Sequence, residues 1–147
     1  MIDPKDLNKG NYVFGKKVDG HVNELYEVLE KFESGVAYSH FSAEHTDRGI
    51  YIKQEIDTKN LMPYTWLEPV PLFEDWLGKF GAIAPFHDAK TRIGSLQFIH
   101  TEIGLIVCDG NWEPASGQHL IRYVHQLQNS YFEKTGEYLK RTDIQTE

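Results

Sequence analysis

Cysteine is nearly absent from this chain: Cys108 stands alone among 147 residues. A single cysteine cannot close an intramolecular disulfide, which excludes a disulfide-stapled secreted framework. Long hydrophobic runs are missing too. The longest, such as Leu105 to Cys108, are a few residues, whereas a membrane-spanning helix needs about twenty. The opening Met1-Ile2-Asp3-Pro4-Lys5-Asp6 carries no apolar h-region and no cleavage signature. The expectation is a cytoplasmic protein without membrane contact. Basic runs are scarce: the densest are Lys16-Lys17 and Lys140-Arg141, and 15 Lys+Arg face 22 Asp+Glu for a net charge of −7. Duplex binding draws on counterion release by a basic patch, so duplex nucleic acid is not an expected partner. A Gly-rich phosphate loop, a Gly-x-Ser-x-Gly elbow and a Cys-x-x-Cys pair are all lacking.

What is abundant is aromatic. Eight Tyr, eight Phe and three Trp make up 13% of the chain, which favours β structure and supplies a core or a contact surface. Associating surfaces favour the same residues, so a homodimer is compatible with this composition. Hydrophobic residues at 40% and charged residues at 25% fit a folded chain of single-domain size.

Along the chain, Asp6 to Asn11 is turn-rich and Tyr12-Val13-Phe14 reads as a strand, with a turn at Val18-Asp19-Gly20. Residues 24–33 are ambiguous. Leu25, Val28, Leu29 and Phe32 match helical spacing, yet the flanking turns, Glu33-Ser34-Gly35 among them, favour a β-meander. Strand is preferred. Ala43 to Arg48 reads as a polar loop, Ile50-Tyr51-Ile52 as a strand, and Gln54 to Asn60 as a charged stretch. Pro69 and Pro71 make Trp66 to Leu72 an extended edge or connector.

A short helix follows, with Phe73, Trp76, Leu77 and Phe80 as its apolar stripe and Gly81 past its end. Residues 84–94 read as a loop. Leu96 to Thr101 and Leu105 to Cys108 form an antiparallel hairpin. The clearest element is a helix from about Gln118 to Thr135, with Leu120, Val124, Leu127 and Tyr131 on one face and Gly136 at its end. The residues after it are polar and expected to fray.

Three stretches carry a resemblance. They are Asp6-Leu7-Asn8-Lys9-Gly10-Asn11-Tyr12-Val13, then Leu67-Glu68-Pro69-Val70-Pro71-Leu72 with Trp76-Leu77 and Phe80-Gly81, and Tyr123-Val124-His125-Gln126-Leu127-Gln128-Asn129 with Tyr131-Phe132 and Thr135-Gly136. Together they resemble small uncharacterised proteins of Bacteroidota genomes, prophages and mobile elements. Those share Gly-Asn-x-Val, Pro-x-Pro-Leu and Val-His-x-Leu-Gln-Asn motifs. The resemblance implies one compact unit with a β-rich front and a ββα back, and it transfers no catalytic residue. The chain departs from the pattern at Ala82-Ile83 and in a longer segment around Ala43–Asn60, where a function particular to this chain would sit.

The expected fold class is therefore α+β. A β-rich N-terminal half, folded as a small barrel-like meander, precedes a short helix, an antiparallel hairpin and a C-terminal helix. One compact domain is expected over 1–136, its β-rich part over 6–72 and its helix–hairpin–helix part over 73–136, with a polar tail over 137–147.

Arg122, His125, Gln126, Asn129 and Glu133 fall roughly together on the polar side of the last helix. They form either a recognition surface or an ordinary solvated face. Gln128 lies toward the buried side, where an amide must find a partner; with His125 it is expected to tie the helix to backbone groups of the β layer. Trp66 joins the candidate surface, within an aromatic group of Tyr64, Trp66, Phe73, Trp76 and Phe80 that reads as core more readily than as a base-stacking platform.

Seven histidines invite a metal hypothesis: His21, His40, His45, His87, His100, His119 and His125. None forms a His-Glu-x-x-His pair. His40 and His45, with Glu44 and Asp47, are the one loop that could gather a loose site. Cys108 would need a base, and His100 is placed to face it across the hairpin. A lone Cys in an apolar strand is more often a core residue. No cofactor and no metal is expected.

The function that fits best is a non-enzymatic binding protein, encoded by a phage or mobile element. It would act on a host protein or capture a small ligand, for instance in counter-defence. The alternative is a small hydrolase of a nucleotide-like substrate, with His100, His119 and His125 as first suspects. A single-stranded nucleic-acid binder is a third possibility, opposed by the net charge.

Overall fold

The computed structural model describes residues 2–16, 23–56, 60–82, 90–108, 111–114 and 120–143. The turn expected at Val18-Asp19-Gly20 and the histidines His21, His87 and His119 lie outside these residues. The chain divides into two compact units, with the boundary between Val70 and Pro71; the second unit runs Pro71–Thr142.

The first unit is an antiparallel meander. Its strands are β1 (Tyr12–Lys16), β2 (Asn23–Lys31), β3 (Gly35–Thr46), β4 (Gly49–Ile56), β5 (Met62–Pro63) and β6 (Leu67–Glu68). They form one sheet in the order β4-β3-β2-β1-β6, with β5 paired to β3. The ambiguous stretch is thus strand as far as Lys31, with a register shift between Val28 and Glu30. The helix-like spacing of its apolar residues yields to pairing with strands on both sides. Among the described residues the sheet is open: β4 and β6 end its strand order and do not pair with one another, so the barrel-like closure expected for this half is not seen there. Ala43 to Arg48 is not a loop either. β3 continues through Thr46, and β3 and β4 pair without a break from Ser39↔Ile56 to Thr46↔Gly49. Polar residues mislead here because an exposed hairpin leaves both faces in water.

One face of this sheet packs a core of Leu7, Val13, Tyr26, Val28, Val36, Tyr38, Met62 and Leu67, with Ile2. The turn into β1 is held by Asn11, which is 2% exposed. Its Oδ1 accepts from the Asn8 N–H at 2.8 Å, and its own N–H donates to the Asn8 carbonyl at 3.1 Å. Lys31 Nζ donates to the carbonyls of Pro4 (2.7 Å) and Leu7 (2.9 Å), pinning the entry segment to the end of β2.

The second unit holds α1 (Glu74–Lys79), a sheet of β7 (Lys90–Ile93), β8 (Leu96–Thr101) and β9 (Gly104–Cys108), and α2 (Val124–Thr135). Trp76, Leu77 and Phe80 of the expected stripe are buried, while Phe73 stays exposed. Gly81, at φ +82°, closes α1. Its N–H donates to the Gly78 carbonyl (3.0 Å) and Ala82 N–H reaches Leu77 (2.9 Å), a Schellman pattern.

The expected hairpin is a three-stranded sheet in the order β7-β8-β9. β7 was hidden in an apparent loop because its alternation spans only four residues: Thr91 and Ile93 point into the core, Lys90 and Arg92 away from it. Phe98, Leu105 and Val107 complete that buried face.

α2 begins later than its periodicity suggests. Ile121 is taken up by backbone bonds to Leu105 (2.8 and 2.9 Å), and Tyr123 bridges Pro71. These extended residues cannot be helical as well. Val124, Leu127, Gln128 and Tyr131 form the buried face of α2. Beyond Gly136 the chain does not fray at once: Leu139 and Arg141 are buried, and Thr142 N–H and Oγ1 both donate to the Lys79 carbonyl, at 2.7 and 2.9 Å. No helix among the described residues is long and apolar enough to cross a membrane.

Candidate functional site

The residues singled out on α2 have separate roles. Gln126 is a cap: its Oε1 accepts from the N–H of the N-cap residue Tyr123 (3.2 Å), a donor that the capping box satisfies, and from the N–H of Arg122 before it (2.9 Å). Arg122 lies before the helix, where its carbonyl accepts from Leu72 N–H at 3.0 Å. His125 is 4% exposed and stacks on the Tyr123 ring, with centroids 6.1 Å apart. Asn129 is half-buried and Glu133 exposed. Gln128 is buried, and its Nε2 donates to the Leu139 carbonyl at 3.1 Å. Gln128 therefore ties the helix to the C-terminal segment. Trp66 belongs to the first unit and packs with Tyr64 against its core.

Cys108 and His100 do not meet across the hairpin. The register pairs Cys108 with Gln97 and His100 with Leu105. Gln97 and His100 are an odd number of positions apart, so the two side chains leave opposite faces of the sheet. The same parity separates His40 from His45, both of them on β3. His40 Nε2 lies 3.2 Å from Glu55 Oε2. Among the described residues no group of three or more His, Cys, Asp or Glu could hold a metal ion.

The feature that departs most from ordinary fold-building is Trp112. It is the one non-glycine residue with positive φ (+62°) among those described. For a bulky side chain this conformation costs about 1–3 kcal/mol and persists only where its surroundings enforce it. Here the Trp112 N–H donates to Gln97 Oε1 at 3.1 Å, and Gln97 is itself 7% exposed. Two cations lie over the indole: Lys90 Nζ at 5.5 Å and the Arg92 guanidinium at 6.0 Å from its centroid.

The strand register explains the grouping. Lys90 pairs with Ile99 and Arg92 with Gln97, while Gln97 pairs with Cys108 and Ile99 with Ile106. Lys90, Arg92 and Gln97 therefore share the face opposite the buried one. Both cations are exposed and the indole half-buried. Chemically, the group offers two positive charges and an aromatic surface on a protein of net charge −7. It suits a small anion.

Sequence reasoning missed this group. Its one signal is the alternation in Lys90-Thr91-Arg92-Ile93, which sets both cations on one side of a strand. Nothing local announces that Trp112 returns to them. The three segments of the resemblance, by contrast, are architectural: Leu7, Asn11, Val13, Leu67, Val70, Val124, Leu127 and Gln128 are all buried. Comparison with protein-family models, with curated proteins and with solved structures finds no match for this chain.

Proposed function

We propose that this protein is a non-enzymatic binding protein that captures a small anionic ligand of nucleotide type on the Lys90–Arg92–Trp112 face. The observation that carries the reading is Trp112 itself, held in a costly backbone conformation beneath two cations. A strained residue whose surroundings enforce its geometry is a common mark of a ligand site. Arg supplies a planar fork for phosphate and Lys a point charge, and the indole beneath them positions both. The resemblance to proteins of prophages and mobile elements adds a setting in which capture of a host signalling molecule would serve counter-defence. Hydrolysis of a nucleotide-like substrate by His100, His119 and His125 is the alternative.

The test is calorimetric titration with adenosine monophosphate and with inorganic pyrophosphate, on the parent and on a Lys90→Ala, Arg92→Ala variant. Saturable binding is expected, weakened about tenfold or more in the variant, since charge-assisted contacts are worth about 1.5–3 kcal/mol each. Turnover of the nucleotide would move the reading to the hydrolase. No heat with either probe would remove the small-ligand reading and leave action on a host protein.

A further inference from the structure

β4 is the outermost strand of the six-stranded sheet, and no strand among the described residues pairs with its outer side. Proteins commonly blunt such an edge with proline, a bulge, a short strand or charged side chains. Of these β4 carries only the charges of Lys53 and Glu55: it spans eight residues without proline, and its register to β3 shows no shift. One of its faces carries Ile50, Ile52, Gln54 and Ile56. Ile50 is 64% and Ile56 65% exposed. The other face carries Lys53 and Glu55, each an exposed residue. The charged groups facing them from β3 are Glu44, 3.5 Å from Lys53, and His40, 3.2 Å from Glu55.

We propose that two copies of this chain join antiparallel along β4, about a two-fold axis at Gln54. The charges choose this register. An axis perpendicular to the sheet keeps like faces together, so it must pass through a residue. Centred on Lys53 it would oppose Lys53 to itself, and centred on Glu55 it would oppose Glu55 to itself; like charges directly opposite are destabilising. Centred on Tyr51 or Ile52 it would oppose no opposite charges. Centred on Gln54 it sets Lys53 against Glu55 of the second copy twice over, and on the other face Ile52 against Ile56 twice over. The two sheets then form one continuous sheet, and Ile52 and Ile56 of each copy gain an apolar neighbour. This joint is independent of the anion-binding reading, since it uses only the first unit.

Sedimentation over a dilution series tests it, with far-UV circular dichroism to show that each variant is folded. The parent is expected to dimerise. Lys53→Glu and Glu55→Lys alone should each raise the dissociation constant about tenfold or more, because attractive pairs become repulsive. The double exchange, Lys53→Glu with Glu55→Lys, restores opposite charges in the same register and should recover the parent's dissociation constant. A parent that stays monomeric throughout the series would overturn the proposal. So would single exchanges that leave its dimer intact, or a double exchange that remains as weak as the singles.

Discussion

Single side chains decide much of this fold through polar satisfaction. Asn11 is the clearest case, a 2% exposed amide whose oxygen closes the turn at Asn8. Asn11→Ala would remove the acceptor of the Asn8 N–H in a part-buried turn, a loss of about 0.5–1.5 kcal/mol. Urea denaturation should show it as a lower midpoint with an unchanged slope; a loss indistinguishable from zero would mean that backbone bonds alone hold the turn. Gln126 and Gln128 make the same point from the other side. Both stood out in the sequence as polar residues on a helix. One caps the helix start and the other bonds the Leu139 carbonyl. Neither role is visible from spacing, because both depend on where non-helical backbone passes.

At the scale of elements, the turn between β7 and β8 shows how tightly a strand pair can seat against a helix. Gly94 has φ +56°, and a Cβ placed there would collide with the Tyr131 hydroxyl of α2. Gly94→Ala should therefore destabilise by more than about 1 kcal/mol, from the left-handed backbone and the collision together. Adding Tyr131→Phe removes the hydroxyl, so the double variant should recover part of the loss in thermal unfolding. Purely additive losses would show that backbone conformation alone matters.

Element type was legible wherever a local pattern was long enough. α2 announced itself by its buried stripe, and residues 24–33 by the turns around them. β7 was not legible, with only four residues of alternation, and neither was the outer half of β3, where no buried face marks the strand. The start of α2 was misread because Ile121 and Tyr123 are drawn into bridges with distant backbone.

For the molecule as a whole, net charge is the one global property that composition states outright. At −7 it repels a polyanion. Exposed Lys90 and Arg92 attract at short range only, within about a Debye length of 10 Å at moderate salt. A small anion can approach that face, while a duplex must also come close to the acidic remainder. Titration with duplex DNA at low salt is expected to give no saturable binding. Saturable binding that falls steeply with salt would reveal a basic surface larger than this pair.

The amino-acid order by itself determined the α+β class, the meander, the short helix and the buried stripe of α2. These follow from periodicity and turn chemistry, which act over a few neighbouring residues. Only the tertiary structure decided that the front sheet stays open, that Cys108 and His100 part to opposite faces, and that Trp112 lies beside Lys90 and Arg92. Each of these depends on strand register or on a returning loop. Shifting a register by one residue reverses every side chain on a strand while leaving local propensities unchanged. The physical information for the site is therefore held in long-range backbone pairing, which no local pattern of residues encodes.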